Sequence, residues 1–123
     1  MNSEETIRRY FKCWLDKNGG PLPEIFADNA VYSECYGPEY HGLEQIIKWF
    51  TEWNRIGSVL EWTIKQFIHQ GAFSVAEWYF KCDYNGEISE FNGVSLIEFD
   101  NNGKIVNLKE FKSDAEHYFP FGK

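Results

Sequence analysis

The periodicity of apolar residues changes at Gly57, and this change constrains the fold more than any other feature of the chain. Before Gly57, apolar side chains recur at the spacing of a helix face in residues 7–15 and 43–53. After Gly57, apolar and polar residues alternate as they do in strands. Helices followed by long hairpins predict an α+β fold, in which a strongly curved, mostly antiparallel sheet wraps around N-terminal helices and leaves a pocket between them.

Turn signals divide the second half of the chain into strands. Asn85-Gly86 and Asn102-Gly103 can adopt the positive φ angles of tight hairpin turns. In the strand that ends at Asn85-Gly86, the uncharged alternate residues from Ala72 to Cys82, which include Trp78 and Phe80, are predicted to face inward. The preceding strand is predicted to have one apolar face, made of Leu60, Trp62, Ile64 and Ile68. Residues 88–99 are apolar on both faces, so their orientation stays open.

Composition and charge exclude several classes of protein. The net charge of −7 repels phosphate backbones, so no nucleic-acid partner is expected. No apolar run is long enough to span a bilayer, and the acidic N-terminus is unlike a secretory signal, so no membrane partner is expected. Three widely spaced cysteines and three histidines without ligand spacing predict neither disulfides nor a metal site. We expect one cytoplasmic domain over residues 1–123, with no cofactor.

Several short motifs in order resemble a known superfamily. They are residues 26–32 (Phe-Ala-Asp-Asn-Ala-Val-Tyr), Tyr40-His41-Gly42 at the entry of a helix, Trp78, and Asn102 to Ile105 followed by Glu110-Phe111. In this order the chain resembles the SnoaL-like branch of the nuclear-transport-factor-2-like superfamily. The resemblance implies a cone-shaped α+β barrel with a pocket at its wide end, usually in a homodimer. Members include polyketide cyclases, ketosteroid isomerases, epoxide hydrolases, dehydratases and non-catalytic binders, so fold alone leaves the activity open.

The resemblance also implies positions for a candidate site. It places Glu110 where cyclase and hydrolase members carry an acid or base, and it places Tyr32 and Glu34 beside it. Trp78 and Phe80 stand where the epoxide hydrolases use an Arg-x-Asp pair, so that activity is excluded. Alternation agrees with the resemblance, because Glu110 shares a strand face with Val106 and Leu108.

Two functions follow from this candidate site. Glu110 is the candidate catalytic residue, and Tyr32, Glu34, Trp62, Trp78 and Phe80 are the candidate substrate-binding residues. The first function is non-catalytic binding of an apolar small molecule in the aromatic pocket. The alternative is an isomerase, cyclase or dehydratase in which Glu110 transfers a proton next to a carbonyl. The sequence leaves open whether the chain is an enzyme. It is also compatible with a Glu110 side chain that has no role in a site and is either solvated or ion-paired with Lys109 or Lys112.

The apolar residues on the opposite strand face indicate how the chain assembles. Phe73, Val75 and Tyr79 alternate with Trp78 and therefore face away from the predicted pocket. Outward apolar residues of this kind are typical of a subunit interface. We expect a two-fold homodimer that uses the convex face of the sheet.

Overall fold

A computed structural model describes residues 2–122 of the chain. The helices are α1 (Ser3–Asp16), α2 (Leu22–Ile25) and α3 (Leu43–Ile56). The strands are β1 (Phe26–Ser33), β2 (Glu39–His41), β3 (Gly57–Gln70), β4 (Phe73–Tyr84), β5 (Glu87–Phe99) and β6 (Ile105–Asp114). The change in periodicity at Gly57 therefore marks the point where α3 ends and the long strands begin.

Within residues 2–122 the strands form one six-stranded sheet in the order β2-β1-β6-β5-β4-β3. Neighbouring strands are antiparallel except β1 and β6, which run parallel. The predicted α+β cone with a mostly antiparallel sheet is confirmed, although the sheet stays open and does not close into a barrel. Strand β6 lies inside the sheet between β1 and β5, so Glu110 is not on an edge strand.

Two β-bulges in β3 overturn the predicted orientation of part of that strand. The register with β4 shifts between Val59 and Glu61 and again between Ile64 and Gln66. Each extra residue moves the following side chains to the other face of the sheet. Trp62 and Ile64 face the interior as predicted, but Leu60 and Ile68 are exposed. Val59, next to Leu60, and Phe67, next to Ile68, face inward in their place, and both pack against the core.

The strands β4 and β5 have the alternation that a sheet with one buried face requires. On β4, Ser74, Ala76, Trp78 and Cys82 are buried, which confirms the predicted inward face within the strand. Ala72, predicted to belong to the same face, lies in the turn before β4 and is exposed. On β5, Phe91, Gly93, Ser95 and Ile97 are the buried positions, and this settles the orientation that the sequence left open.

Helix α1 packs against β3 and α2. Its buried face includes Tyr10, Phe11 and Trp14, and the ring of Phe11 stacks on Trp62 with ring centroids 3.7 Å apart. Burial of each such large side chain stabilises the fold by about 1.5–3 kcal/mol. None of the helices in residues 2–122 has the length and apolar character needed to cross a bilayer.

Candidate functional site

The open end of the cone contains a cavity of about 830 Å³. It lies between α3, the loop that follows β1, and the inward faces of β3, β4, β5 and β6. Most of its wall is aromatic, with rings from α1, α3, the loop after β1, and strands β2 to β5: Trp14, Tyr36, Tyr40, Trp49, Trp53, Trp62, Trp78, Phe80, Tyr84 and Phe91. A largely apolar wall that holds a few polar groups is typical of a small-molecule site.

Trp78 is a buried residue of the cavity wall, and its position depends on two residues of β5. The indole N–H donates a hydrogen bond to Ser95 Oγ at 3.0 Å. Gly93 is the cross-strand partner of Trp78, and a Cβ atom there would lie 2.5 Å from Trp78 Cη2 and 2.5 Å from the Phe111 carbonyl oxygen. The indole therefore lies against the backbone of β5, and a residue with a side chain at position 93 would displace it.

Glu110 lies on β6 opposite Ser95 and extends into the same cavity. Its carboxyl group accepts a short hydrogen bond from the Tyr32 hydroxyl, and the Cys35 backbone N–H donates to its other oxygen at 3.4 Å. The Tyr10 hydroxyl in turn donates to Tyr32 at 2.8 Å. This chain of hydroxyl groups fixes the orientation of the carboxyl group from behind the cavity wall.

Burial controls the electrostatics of Glu110. Desolvation raises the pKa of its carboxyl group to about 7. The hydrogen bond from Tyr32 opposes this rise because it stabilises the ionised form, whereas the nearby charge of Glu34 adds to it. Glu110 is therefore a carboxyl group that can gain or lose a proton near neutral pH.

Glu34 is the second carboxyl group in the cavity wall. It accepts a hydrogen bond from the Tyr40 hydroxyl at 2.7 Å, and desolvation raises the pKa of its carboxyl group. Burial and the neighbouring charge of Glu110 raise the pKa of Tyr32, so its hydroxyl stays protonated at neutral pH. The site thus combines two carboxyl groups with hydroxyl donors that do not ionise.

The structure brings most of the residues predicted from the sequence together. Glu34, Trp62, Trp78, Phe80 and Glu110 all line the cavity. Tyr32 is fully buried and lies behind Glu110 instead of on the wall, so it contacts the carboxyl group and not the cavity.

The alternative in which Glu110 pairs with a lysine is not observed within residues 2–122. Lys109 is exposed, and the Lys112 ammonium lies over the ring of Tyr36, 4.6 Å from its centroid. Neither lysine forms a salt bridge with Glu110 among the described residues.

Sequence reasoning missed three aromatic residues that shape the site. Helical spacing assigns Tyr10 only to an apolar face, but its hydroxyl supports Tyr32. Tyr40 and Trp49 stack with ring centroids 4.7 Å apart and form one side of the cavity. Helical spacing could place Trp49 on the inner face of α3, but it carried no information about the ring that would meet it from β2.

No group of three or more His, Cys, Asp or Glu side chains in residues 2–122 is arranged to hold a metal ion. The polar groups in the wall are hydroxyl and carboxyl groups, with Arg55 as the positive side chain. The chemistry that the described wall itself offers is hydrogen bonding, proton transfer and contact with aromatic rings.

The open, mostly antiparallel sheet, the helices packed against it and the cavity between them define a cone of the nuclear-transport-factor-2-like, ketosteroid isomerase-like type. The SnoaL-like domain family matches residues 7–108, and the chain belongs to that family. No curated protein matches the sequence.

Solved structures with the same fold have diverse functions. A hypothetical protein with a ketosteroid isomerase-like fold from Catenulispora acidiphila, in complex with trimethylamine, has a TM-score of 0.78 at 18% identity, over 90% of this chain and 86% of that chain. An LEH-like epoxide hydrolase of M. tuberculosis has a TM-score of 0.80 at 13% identity, over 90% and 82% of the two chains. A protein described as a SnoaL-like polyketide cyclase from Mesorhizobium loti has a TM-score of 0.72 at 20% identity, over 90% and 99%. At these identities the likeness concerns the fold alone.

Proposed function

We propose that the chain binds an apolar small molecule in the aromatic cavity, with the Glu110 carboxyl group as the polar contact at its inner wall. The observation that carries this proposal is a cavity of about 830 Å³ with an aromatic wall, which remains open next to a well-packed core. Small-molecule sites typically enclose about 300–1,000 Å³. The trimethylamine bound by the Catenulispora acidiphila protein is a precedent for a small ligand in this fold.

Uptake of N-phenyl-1-naphthylamine, a neutral probe whose fluorescence increases in apolar surroundings, tests the proposal. Ser89 lines the cavity, so Ser89→Trp adds an indole inside it and should weaken probe binding by roughly tenfold or more. Thr63→Trp is the matched control, because Thr63 is exposed and is not part of the cavity wall. Absence of uptake by the folded parent, or equal uptake by both variants, would contradict the proposal.

A second candidate function is proton transfer next to a carbonyl group, and one specific observation favours it. The pKa of Glu110 is raised to about 7, so near neutral pH a large fraction of the protein holds an ionised carboxylate that can act as a base. This carboxylate would accept a proton from the carbon next to the ligand carbonyl, and the electron pair would pass to the carbonyl oxygen as an enolate. The Tyr36 hydroxyl belongs to the same wall and can donate a hydrogen bond to that oxygen.

Exchange of the α-protons of 1-tetralone in D₂O, followed by NMR, distinguishes the two functions. If Glu110 transfers the proton, the parent accelerates exchange and Glu110→Gln does not, although the amide oxygen of the variant can still accept the hydrogen bond from Tyr32. Glu61→Gln, on the exposed side of β3, is the control and should behave like the parent. If the α-protons of the ketone exchange at the same rate with the parent and with Glu110→Gln, Glu110 does not catalyse proton transfer and the binding function alone remains.

A further inference from the structure

The charges of the cavity wall carry information about the ligand beyond its apolar character. The described wall contains four carboxyl groups, those of Glu34, Glu52, Glu87 and Glu110, and one guanidinium, that of Arg55. Arg55 Nη1 is 2.6 Å from Glu52 Oε2, so these two groups neutralise each other. The wall therefore keeps three carboxyl groups that form no ion pair with another described residue.

The rings beside these carboxyl groups are arranged as pairs of large aromatic surfaces. Tyr40 and Trp49 stack at an interplanar angle of 15°, and Trp53 and Tyr84 have ring centroids 5.2 Å apart. The face of an aromatic ring carries negative potential and attracts an ammonium group placed within about 6 Å of its centroid. The tyrosine hydroxyl of the first pair also donates a hydrogen bond to Glu34, so a carboxyl group lies at the edge of this stacked pair.

The chain itself contains an example of this contact at the same cavity. The Lys112 ammonium lies 4.6 Å from the ring centroid of Tyr36 and 5.4 Å from that of Phe91, and both rings belong to the cavity wall. The aromatic lining thus already accommodates one organic cation in this fold.

We propose that the ligand of this cavity is an organic ammonium compound, with its positive group between the aromatic pairs and the carboxyl groups of Glu34 and Glu87. This inference rests on the proposed binding function and names the class of ligand. The carboxyl groups of the wall outnumber the one ammonium at its rings, that of Lys112, so the ionised carboxyl groups repel an anionic ligand, whereas a cation gains from both the rings and these charges. The net charge of −7 also attracts cations toward the protein from a distance.

Three related compounds test the charge preference. Phenyltrimethylammonium is the cation, tert-butylbenzene is its neutral isostere of equal shape, and 4-tert-butylbenzoate is an anion that carries a carboxylate on the same ring. Each competes with N-phenyl-1-naphthylamine, so one fluorescence assay reports all three affinities. The proposal expects the cation to bind at least about fivefold more tightly than the neutral isostere, and the anion to bind most weakly.

The double variant Glu34→Gln/Glu87→Gln tests whether the wall carboxyl groups cause the preference. The quantity to compare is the ratio of cation to neutral affinity, because both ligands depend equally on the shape of the cavity. The ratio should fall by at least about threefold in the double variant, and it should not change in Glu61→Gln.

The possible results separate the two proposals. Equal affinities of cation and neutral isostere, with probe binding intact, overturn the ammonium proposal and leave the binding function standing. A cation preference that survives unchanged in the double variant also overturns it, since the charges named here would then not be its source. Failure of the probe and all three compounds to bind the folded parent would contradict the binding function itself.

Discussion

Replacement of Glu110 by glutamine should change how the stability of the protein depends on pH. The folded-state pKa of Glu110 is raised from 4.5 to about 7. Below about pH 4 the carboxyl group is protonated in both the folded and the unfolded chain, and the folded state carries no penalty. As the pH rises, the unfolded chain loses its proton first, so the free energy of unfolding falls until the folded pKa is passed.

The magnitude follows from the size of this rise. At 1.36 kcal/mol for each pH unit, a rise from 4.5 to about 7 corresponds to a loss of about 3 kcal/mol on going from about pH 4 to about pH 8. The amide in Glu110→Gln keeps an acceptor for Tyr32 but never ionises, so the variant escapes this loss. The stability of Glu110→Gln relative to the parent should therefore increase by about 3 kcal/mol between these two pH values.

Urea denaturation of both proteins at a series of pH values measures this difference, because titration of all other groups largely cancels in the comparison. Glu61→Gln, in which an exposed glutamate of β3 is replaced, should follow the parent at every pH. A parent-to-variant difference that stays constant within about 1 kcal/mol would refute the argument that Glu110 is desolvated.

Further predictions concern the groups around Glu110 and the sheet. Tyr32→Phe should raise the pKa of Glu110, because it removes a hydrogen bond to the ionised form. Glu34→Gln should lower the pKa of Glu110, because it removes a neighbouring negative charge. Carboxyl NMR titrations measure both shifts. Gly93→Ala should destabilise the fold by about 1–3 kcal/mol in urea denaturation, since its Cβ would overlap Trp78, while Asn92→Ala on the other face should cost less. We also propose that exposed Phe73 and Phe111 lie in a homodimer interface; light scattering should then give twice the 14.5 kDa chain mass, and the monomer mass would count against it.

Periodicity and turn chemistry were sufficient to predict the order of helices and long strands. The inward face of β4 followed from the absence of charge at alternate positions, because a buried strand face excludes unpaired charges. The same rule failed on β3, since its bulges shift the alternation twice and leave no mark in the local sequence. Bulges depend on the partner strand, which periodicity does not identify.

The candidate site was predicted in part for a similar reason. The family resemblance implied the position of Glu110 and its strand face agreed, but its environment depends on β1, which lies next to β6 in the sheet and far from it in the chain. That parallel neighbour brings Tyr32 and Cys35 to the carboxyl group. No local pattern predicts the support from Tyr10, because its hydroxyl reaches the site from a helix whose spacing reports only an apolar face.

The most direct test of the central claim is the NMR titration of the Glu110 side-chain carboxyl carbon in the parent protein, assigned by its loss in Glu110→Gln. The account predicts a midpoint near pH 7, because the group is desolvated in the cavity wall and lies near Glu34. A midpoint close to the ordinary 4.5 of a glutamate would contradict it. In that case Glu110 would be a hydrated surface carboxylate, and neither the binding contact nor the proton transfer proposed here would stand.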